Sequence, residues 1–364
     1  MTLSDLVHQT GEWLRGSGPH GEIVMSARVR LARNLSQAPF PQWATPPQRA
    51  EVLKRAVEGV NGSAFLKGSM VLELKGLSEL DRLFLVERHL ISREHATGGF
   101  SGAASASGSH ATANSTDSRA VVVSDREIVS LMVNEEDHLR LQVLQSGFNL
   151  QEAWVILNRM EEELERKLPY AFSAEWGYLT ACPTNVGTGM RASTMLHLPC
   201  LVMTKQINRV LHAITKLGLT ARGLYGEGTE ATGNFFQLSN QVSLGISEEE
   251  ILDNLERLIK QVIEQEEAAR KALLNQSREA LEDRIWRAYG TLKSAHLITS
   301  NETVELLSLV RLGVDLGVIP TLERGRVNQL FIQTQPAHLQ KLEGRPLNPS
   351  ERDARRAKLL RDSL

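Results

Sequence analysis

Only two of the 364 residues are cysteine, Cys182 and Cys200, and neither lies in a CxxC or Cys/His spacing. Nothing therefore suggests a disulfide framework or a zinc site, and a reducing compartment is the natural expectation. No apolar run approaches the ~18 residues of a membrane span. The opening MTLSDLVHQTGEWLRGSG lacks the uninterrupted apolar stretch and small-residue cleavage site of a secretory signal. A cytoplasmic chain with no membrane partner is expected. Charge of either sign is not in excess: 41 Lys and Arg face 43 Asp and Glu, a net charge of -2. That balance argues against nucleic-acid binding as the main business of the chain, though it permits local basic clusters. A Walker A sequence and a kinase-type Gly-rich loop with its His-Arg-Asp partner are also missing, so the usual phosphate binders are excluded.

What remains is an ordinary globular composition, long enough for two or three domains and a large core. An extended run from Ile23 to Leu31 opens the regular structure. Helical spacing follows over Pro47–Gly59 and Leu80–Ile91. Residues 97–118, rich in Gly, Ser and Ala, carry almost no large apolar side chains and are expected to form a flexible insert. Ala120–Ser124 and Glu127–Val133 read as a hairpin turning at Asp125-Arg126. Asn149 is placed to cap a helix with Glu152 completing the box, its apolar face carrying Trp154, Leu157, Met160 and Leu164, and Pro169 stopping it. Leu179–Cys182 and Val242–Gly245 look strand-like, and Met203–Leu217 looks helical. Ser247 and Glu250 form a second capping box before a long helix that turns Leu255, Leu258, Ile259, Val262 and Ile263 inward. Gly290 reads as a helix stop and Val304–Leu316 as a further helix. The expected division is an N-terminal segment 1–22, a mixed α/β domain 23–253 with the insert at 97–118, and a helical domain 254–364.

Four polar motifs stand out. In Arg28-Val-Arg30, with Arg33 three further on, two guanidiniums share one strand face and repel unless an anion lies between them. In Asn134-Glu-Glu-Asp-His-Leu-Arg140, three acids directly follow an apolar strand, and alternation sends Glu135 and Glu136 to opposite faces, so one can enter a cleft. Cys182-Pro-Thr-Asn-Val-Gly-Thr-Gly-Met-Arg191 packs small residues between a thiol and an arginine, a composition suited to close backbone approach to a ligand. Arg222-Gly-Leu-Tyr-Gly-Glu227-Gly-Thr is a Gly-rich loop presenting one Arg and one Glu. Each motif alone reads more readily as a solvated strand edge or a turn than as a site. Together, five arginines can cradle a nucleotide triphosphate while two carboxylates bracket a cationic acceptor.

In that order and spacing, SARVRLAR, VNEEDHLR, CPTNVGTGMRAS and RGLYGEGTEA resemble the phosphagen (guanidino) kinases over about residues 20–250. The resemblance implies an α+β fold: a phosphagen-kinase-like catalytic domain, an antiparallel sheet flanked by helices, followed here by an all-helical C-terminal domain. It implies that Arg28, Arg30, Arg140, Arg191 and Arg222 contact the phosphates of ATP. Glu136 and Glu227 would hold the acceptor guanidinium, with Cys182 beside it as a catalytic group or a small packed side chain. His89 resembles the adenine-side histidine. Where the family often has another histidine this chain has Met195, with His197 two residues later. Glu136, at the strand end, matches the catalytic carboxylate. ATP is expected with Mg²⁺, and no dedicated metal ligands are visible.

Few residues precede Arg28, where phosphagen kinases carry a helical lid domain. The expectation is an acceptor arginine projecting from a polypeptide. Arg352-Asp353-Ala-Arg-Arg356-Ala357 near the end matches the bacterial protein arginine kinases, where such a motif binds phosphoarginine in regulation. The alternative is a basic tail helix. The family also implies protein substrates with exposed arginines, a zinc-binding activator protein, a heat-shock repressor, an AAA+ unfoldase and protease, and a homodimer. Its role there is protein quality control: marking clients for degradation and inactivating the stress-response repressor. The competing readings are a kinase for a small guanidino compound and a non-catalytic phosphoarginine-binding adaptor. Retention of both glutamates and all five arginines argues against the adaptor.

Overall fold

The computed structural model describes residues 2–98, 118–223 and 232–364. Nearly all of the expected insert, and Glu227, lie outside these residues.

Strand alternation builds the centre. In β1 (Val24–Arg33), Ala27, Val29 and Leu31 are fully buried on one face, while Arg28 and Arg30 stay half-exposed on the other. The remaining strands are β2 (Met70–Glu73), β3 (Ala120–Val123), β4 (Val129–Val133), β5 (Leu139–Ser146), a short hairpin of β6 (Phe172–Ser173) and β7 (Gly177–Tyr178), then β8 (Met190–His197), β9 (Leu219–Gly223) and β10 (Phe235–Asn240). Eight of them form one antiparallel sheet in the order β2-β3-β4-β5-β1-β8-β10-β9. The register sets Arg30 opposite Gln142 of β5 and Arg191 of β8, and Ala32 opposite Arg140. In β10, Gln237 pairs with both Met195 and Arg222. One sheet face thus collects the arginines of four strands.

Helices take the other face and the ends. In chain order they are α1 (Asp5–His8), α2 (Pro46–Asn61), α3 (Glu79–Glu87), α4 (Arg93–Thr97), α5 (Leu150–Glu165), α6 (Pro199–Met203), α7 (Ile207–Lys216) and α8 (Glu248–Gln276). The C-terminal set is α9 (Arg278–Ser294), α10 (Ser300–Asp315), α11 (Arg324–Gln333), α12 (Pro336–Glu343) and α13 (Pro349–Ser363). α5 lies across β1 and β5, and α8 across β8 and β10. The capping box at Ser247 and Glu250 forms, and every predicted inward residue of α8 is buried. α8 continues unbroken through residues 253 and 254. One apolar cluster runs from the sheet into the C-terminal helices, where Phe235 meets Phe331 edge-on at 5.0 Å and His197 Nε2 lies 2.8 Å from Ser308 Oγ.

Several local expectations are corrected. The helix predicted to Ile91 ends at Glu87, because His89 takes a positive φ of 59°. Asn149 makes no capping box: its amide donates to the Ser146 carbonyl at 2.8 Å. The β3–β4 turn extends through Glu127, which is buried against Arg88, so β4 starts at Val129. Leu179–Cys182 is not a strand, and the helix expected over 203–217 starts only at Ile207, after a break where α6 ends at Met203 and Lys205 adopts a φ of 58°. The strand expected at 242–245 is β10 instead; Ser243 uses its backbone and hydroxyl to clamp the loop beneath it. Gly290 lies inside α9, where a Cβ would face open space, so no left-handed stop is needed.

Candidate active site

A cleft of about 400 Å³ opens over the arginine-bearing face of the sheet. Its walls include Arg28, Arg30, Arg140, Arg191 and Arg222, together with His89, Glu135, Glu136 and Cys182. The structure therefore brings every described catalytic or nucleotide-side residue predicted from sequence to one place. Arg33 is excluded from it: its Nε bonds Glu161 at 2.8 Å, its Nη1 donates to the carbonyls of Ala32 and Thr188, and its guanidinium lies 3.4 Å from the centre of the Tyr178 ring.

The cleft gathers five arginines and, among the described residues that line it, the carboxylates of Glu94, Glu135 and Glu136. Burial, then Arg191, Arg140 and Arg222, lower Arg28 to about 10, which leaves it cationic at neutral pH. Arg30 is pulled well below its ordinary value by burial and by Arg28, Arg140 and Arg191, with Glu135 opposing. Its Nε is buried without a hydrogen-bond partner among the described residues. Five guanidiniums gathered at one cleft call for an anionic ligand. Arg191 is steadied by Ser239 Oγ, 3.3 and 3.2 Å from its Nε and Nη2. His89 is driven down to about 3 by burial and then by Arg28, so its imidazole is neutral; its ring meets Trp13 edge-on at 5.1 Å.

The two adjacent glutamates differ. Glu135 is buried, accepts from Ser92 Oγ at 2.6 Å and from Arg140 at 2.9 Å, and these partners outweigh its desolvation to hold it below the usual carboxylate range. Glu136 is half-buried and accepts from Arg140 at 3.1 Å; burial, helped by Glu135 and Asp137, raises it above that range. Against its own burial, the three acids hold Arg140 above its ordinary value.

The loop carrying these acids is held from behind. Asn134 turns the chain at a φ of 57°. Asn34 donates to Asp137 at 2.6 Å and accepts the His138 amide, while Asp137 also accepts the Ala181 amide at 2.7 Å. His138 bonds the Leu35 amide and reaches the Pro39 carbonyl. The segment after β1, the acidic loop and the approach to Cys182 are thus one hydrogen-bonded unit.

The glycines of the 182–191 loop serve a different end from the one expected. At Gly187, φ 106°, a Cβ would meet the Ser243 carbonyl oxygen at 2.2 Å, and at Gly189, φ 63°, the Ala32 carbonyl oxygen at 2.7 Å. Their close approach is to the protein's own backbone, which seats the loop so that Thr184 and Asn185 line the cleft. Cys182 Sγ lies 3.0 Å from Thr184 Oγ1.

Two family models match: the ATP:guanido phosphotransferase C-terminal catalytic domain over residues 51–269, and the protein-arginine kinase McsB C-terminal domain over residues 278–364. A protein-arginine kinase of Symbiobacterium thermophilum is 49% identical over 100% of this chain and 99% of its own. One of Halothermothrix orenii is 45% identical over 100% and 99%. The duplicated taurocyamine kinase of Schistosoma mansoni, solved with transition-state analogue components, superposes with a TM-score of 0.59 at 27% identity, over 69% of this chain and 34% of that one. The chain belongs to the protein-arginine kinase family.

The remaining predicted residues lie elsewhere in this chain. Met195 borders a small extension of the cleft shared with Trp13, His89 and Gln237, whereas His197 is buried against α10. In α13, Arg356 is buried, its Nε and Nη1 each 2.8 Å from the carbonyls of Thr334 and Ile298, and bonded to Asp353 at 2.5 Å. Ala357 is fully buried, and Arg352 reaches the Leu347 carbonyl at 3.1 Å. Sequence reasoning missed Ser92, Gln142 and Gln237. The last two follow from alternation out of Arg140 and across from Arg222; Ser92 is legible only as the N-cap of α4. No helix among the described residues is long and apolar enough to cross a membrane.

Proposed function

We propose that this cleft transfers the γ-phosphoryl group of ATP to the guanidinium of arginine side chains in proteins. The observation that carries this reading is the group of five arginines lining one cleft together with the raised carboxylate of Glu136. Membership of the protein-arginine kinases supports the choice of acceptor.

In this reading Arg28, Arg30, Arg140, Arg191 and Arg222 receive the phosphates of Mg²⁺–ATP and neutralise charge that develops during transfer. The neutral His89 and the Trp13 edge lie on the side available to the base. An arginine guanidinium is cationic at neutral pH and a poor nucleophile. Glu136 orients it by charge-assisted hydrogen bonds, with Glu227 as the second carboxylate by family resemblance. As the terminal nitrogen forms its bond to the γ-phosphorus, the bond from phosphorus to the ADP oxygen breaks, and the nitrogen's proton passes to Glu136. A carboxylate raised above its usual range is better matched to that proton. Cys182 lies on the acceptor side, beside Thr184.

The test is incubation with Mg²⁺–ATP and an unfolded arginine-rich protein, with fragment mass spectra recorded at neutral to alkaline pH because N-phosphates are acid-labile. Phosphoryl groups on arginine that vanish in Glu136→Gln are the expected result. ATP turnover with free arginine and none on protein would replace this reading by a small-molecule kinase.

The wider role we infer is cytoplasmic: marking clients for an AAA+ unfoldase and protease, and inactivating a heat-shock repressor, with a zinc-binding activator and a homodimeric assembly. It rests on the family resemblance alone. Within the RDxxRA segment, Arg352 and Asp353 are the partly accessible pair that can meet a phosphoarginine, while Arg356 and Ala357 anchor the helix.

A further inference from the structure

We propose that an apolar ridge at the lip of the cleft, formed by Phe172, Trp176, Val242 and Leu244, docks apolar side chains flanking the acceptor arginine in an extended polypeptide. The proposal rests on the protein-arginine reading above and deepens it by naming a substrate preference.

All four side chains are exposed, by 61%, 49%, 54% and 43% respectively. Single exposed apolar residues are commonplace, but these four lie on two segments that brace the same cleft loop. Gly177, next to Trp176, bridges to Gly187, and Tyr178 exchanges backbone bonds with Gly187 at 2.8 and 3.4 Å. Ser243, between Val242 and Leu244, bonds the carbonyls of Thr184 and Val186 at 2.9 Å and accepts the Thr188 amide at 2.9 Å. The inner side of the same loop presents Cys182, Thr184 and Asn185 to the cleft. An arginine entering there carries its neighbouring residues over the outer side.

The Phe172 end of the ridge is also pre-ordered. Phe172 and Tyr178 are a cross-strand pair of the β6–β7 hairpin, their rings edge-on at 5.2 Å, and Tyr178 is held from behind by the buried Arg33. Pre-ordered aromatic surface loses little freedom on binding. Between the two aromatics, Glu175 is exposed and supplies a negative charge suited to a segment rich in arginine. The chemistry selects a chain whose apolar side chains are accessible, which is an unfolded one.

Two arginine peptides of equal length and charge test this on the full chain, one with Leu and Phe near the arginine and one with Ser and Gly. Wild type should show a KM about tenfold lower for the apolar peptide, equivalent to ~1.4 kcal/mol. Phe172→Ser with Trp176→Ser should abolish that ratio, leaving kcat, KM for ATP and turnover of the polar peptide unchanged. Labelled peptides titrated without ATP give an independent readout. Preferential binding of the apolar peptide, lost in the double variant, supports the ridge even if no phosphate is transferred, an outcome that would sink the kinase reading alone. Equal KM and equal binding of both peptides by wild type, or a preference that survives the substitutions, overturns the proposal. So does a double variant that loses only self-association in sedimentation and keeps the preference, since the ridge would then serve a second copy of the chain.

Discussion

Glu135 and Glu136 are neighbours in sequence and opposites in electrostatics. Ser92 and Arg140 stabilise the first as a carboxylate, whereas burial beside two other acids makes the second reluctant to ionise. If Glu136 is the base, Glu136→Gln should lower kcat by about 10²–10⁴ with little change in KM for ATP, measured by steady-state kinetics. The rate should fall as pH drops through the raised pKa of Glu136, at a pH above the ordinary ~4.3 of a glutamate. That acid limb should be missing from the residual activity of the variant. Arg33 makes the contrasting case. It lies in the same motif as Arg28 and Arg30, yet its charge is spent on Glu161 in the interior, a pairing no spacing reveals because the partner is on α5. Removing one member of a buried pair strands the other, so Glu161→Ala should cost about 3–5 kcal/mol in urea unfolding. Two-residue periodicity made Arg28 and Arg30 legible as one face, but it failed for Glu135 and Glu136: the strand ends at Val133, and both glutamates line the cleft and accept from Arg140 instead of facing opposite ways. The partners behind these residues come from distant segments and were not legible.

At the scale of elements, legibility followed how local the signal is. The capping box that opens α8 and its inward apolar stripe are written within a few residues, and the structure has both. The strand expected at 242–245 failed because β10 is defined by partners β8 and β9, while Ser243 is taken up in holding the 182–191 loop. The end of α3 shows a contact that sequence could not reveal. Glu87 accepts the amides of Ala337 and His338 at 2.8 Å, at the start of α12. Arg88 bonds Glu127 and the Gln9 carbonyl, and the His89 backbone carbonyl accepts from Gln142 Nε2, with His89 itself lining the cleft. Burial lifts Glu87 to about 7 against the opposing amides. A carboxyl raised on folding contributes stability below its unfolded pKa and loses it as pH rises through its folded value. The melting temperature of wild type relative to Glu87→Gln should therefore fall as pH climbs through about 7, as calorimetry across that range would read.

At the scale of the molecule, sheet and C-terminal helices share an interior. Arg270 and Arg311 of α8 and α10 donate to the carbonyl of Glu22, and Arg311 also to that of Gly21, ahead of β1. Glu266 of α8 accepts the amides of Cys200 and Leu201 at the start of α6. Scanning calorimetry of the whole chain should show a single transition, and a chain ending at Gln276 should lose it, because Phe235 and its neighbours would be left uncovered.

The place of β1 bears on synthesis as well. Val29, in the centre of the sheet, pairs with Val143 on one side and Ala192 on the other, both more than a hundred positions downstream. This strand leaves the ribosome first and has no neighbour to pair with until much of the chain has followed. Closing such distant pairings is slow, and an apolar strand waiting with both edges open invites capture by other nascent chains. The central strand of the sheet is thus also the segment of this fold most exposed to mispairing while the chain is being made.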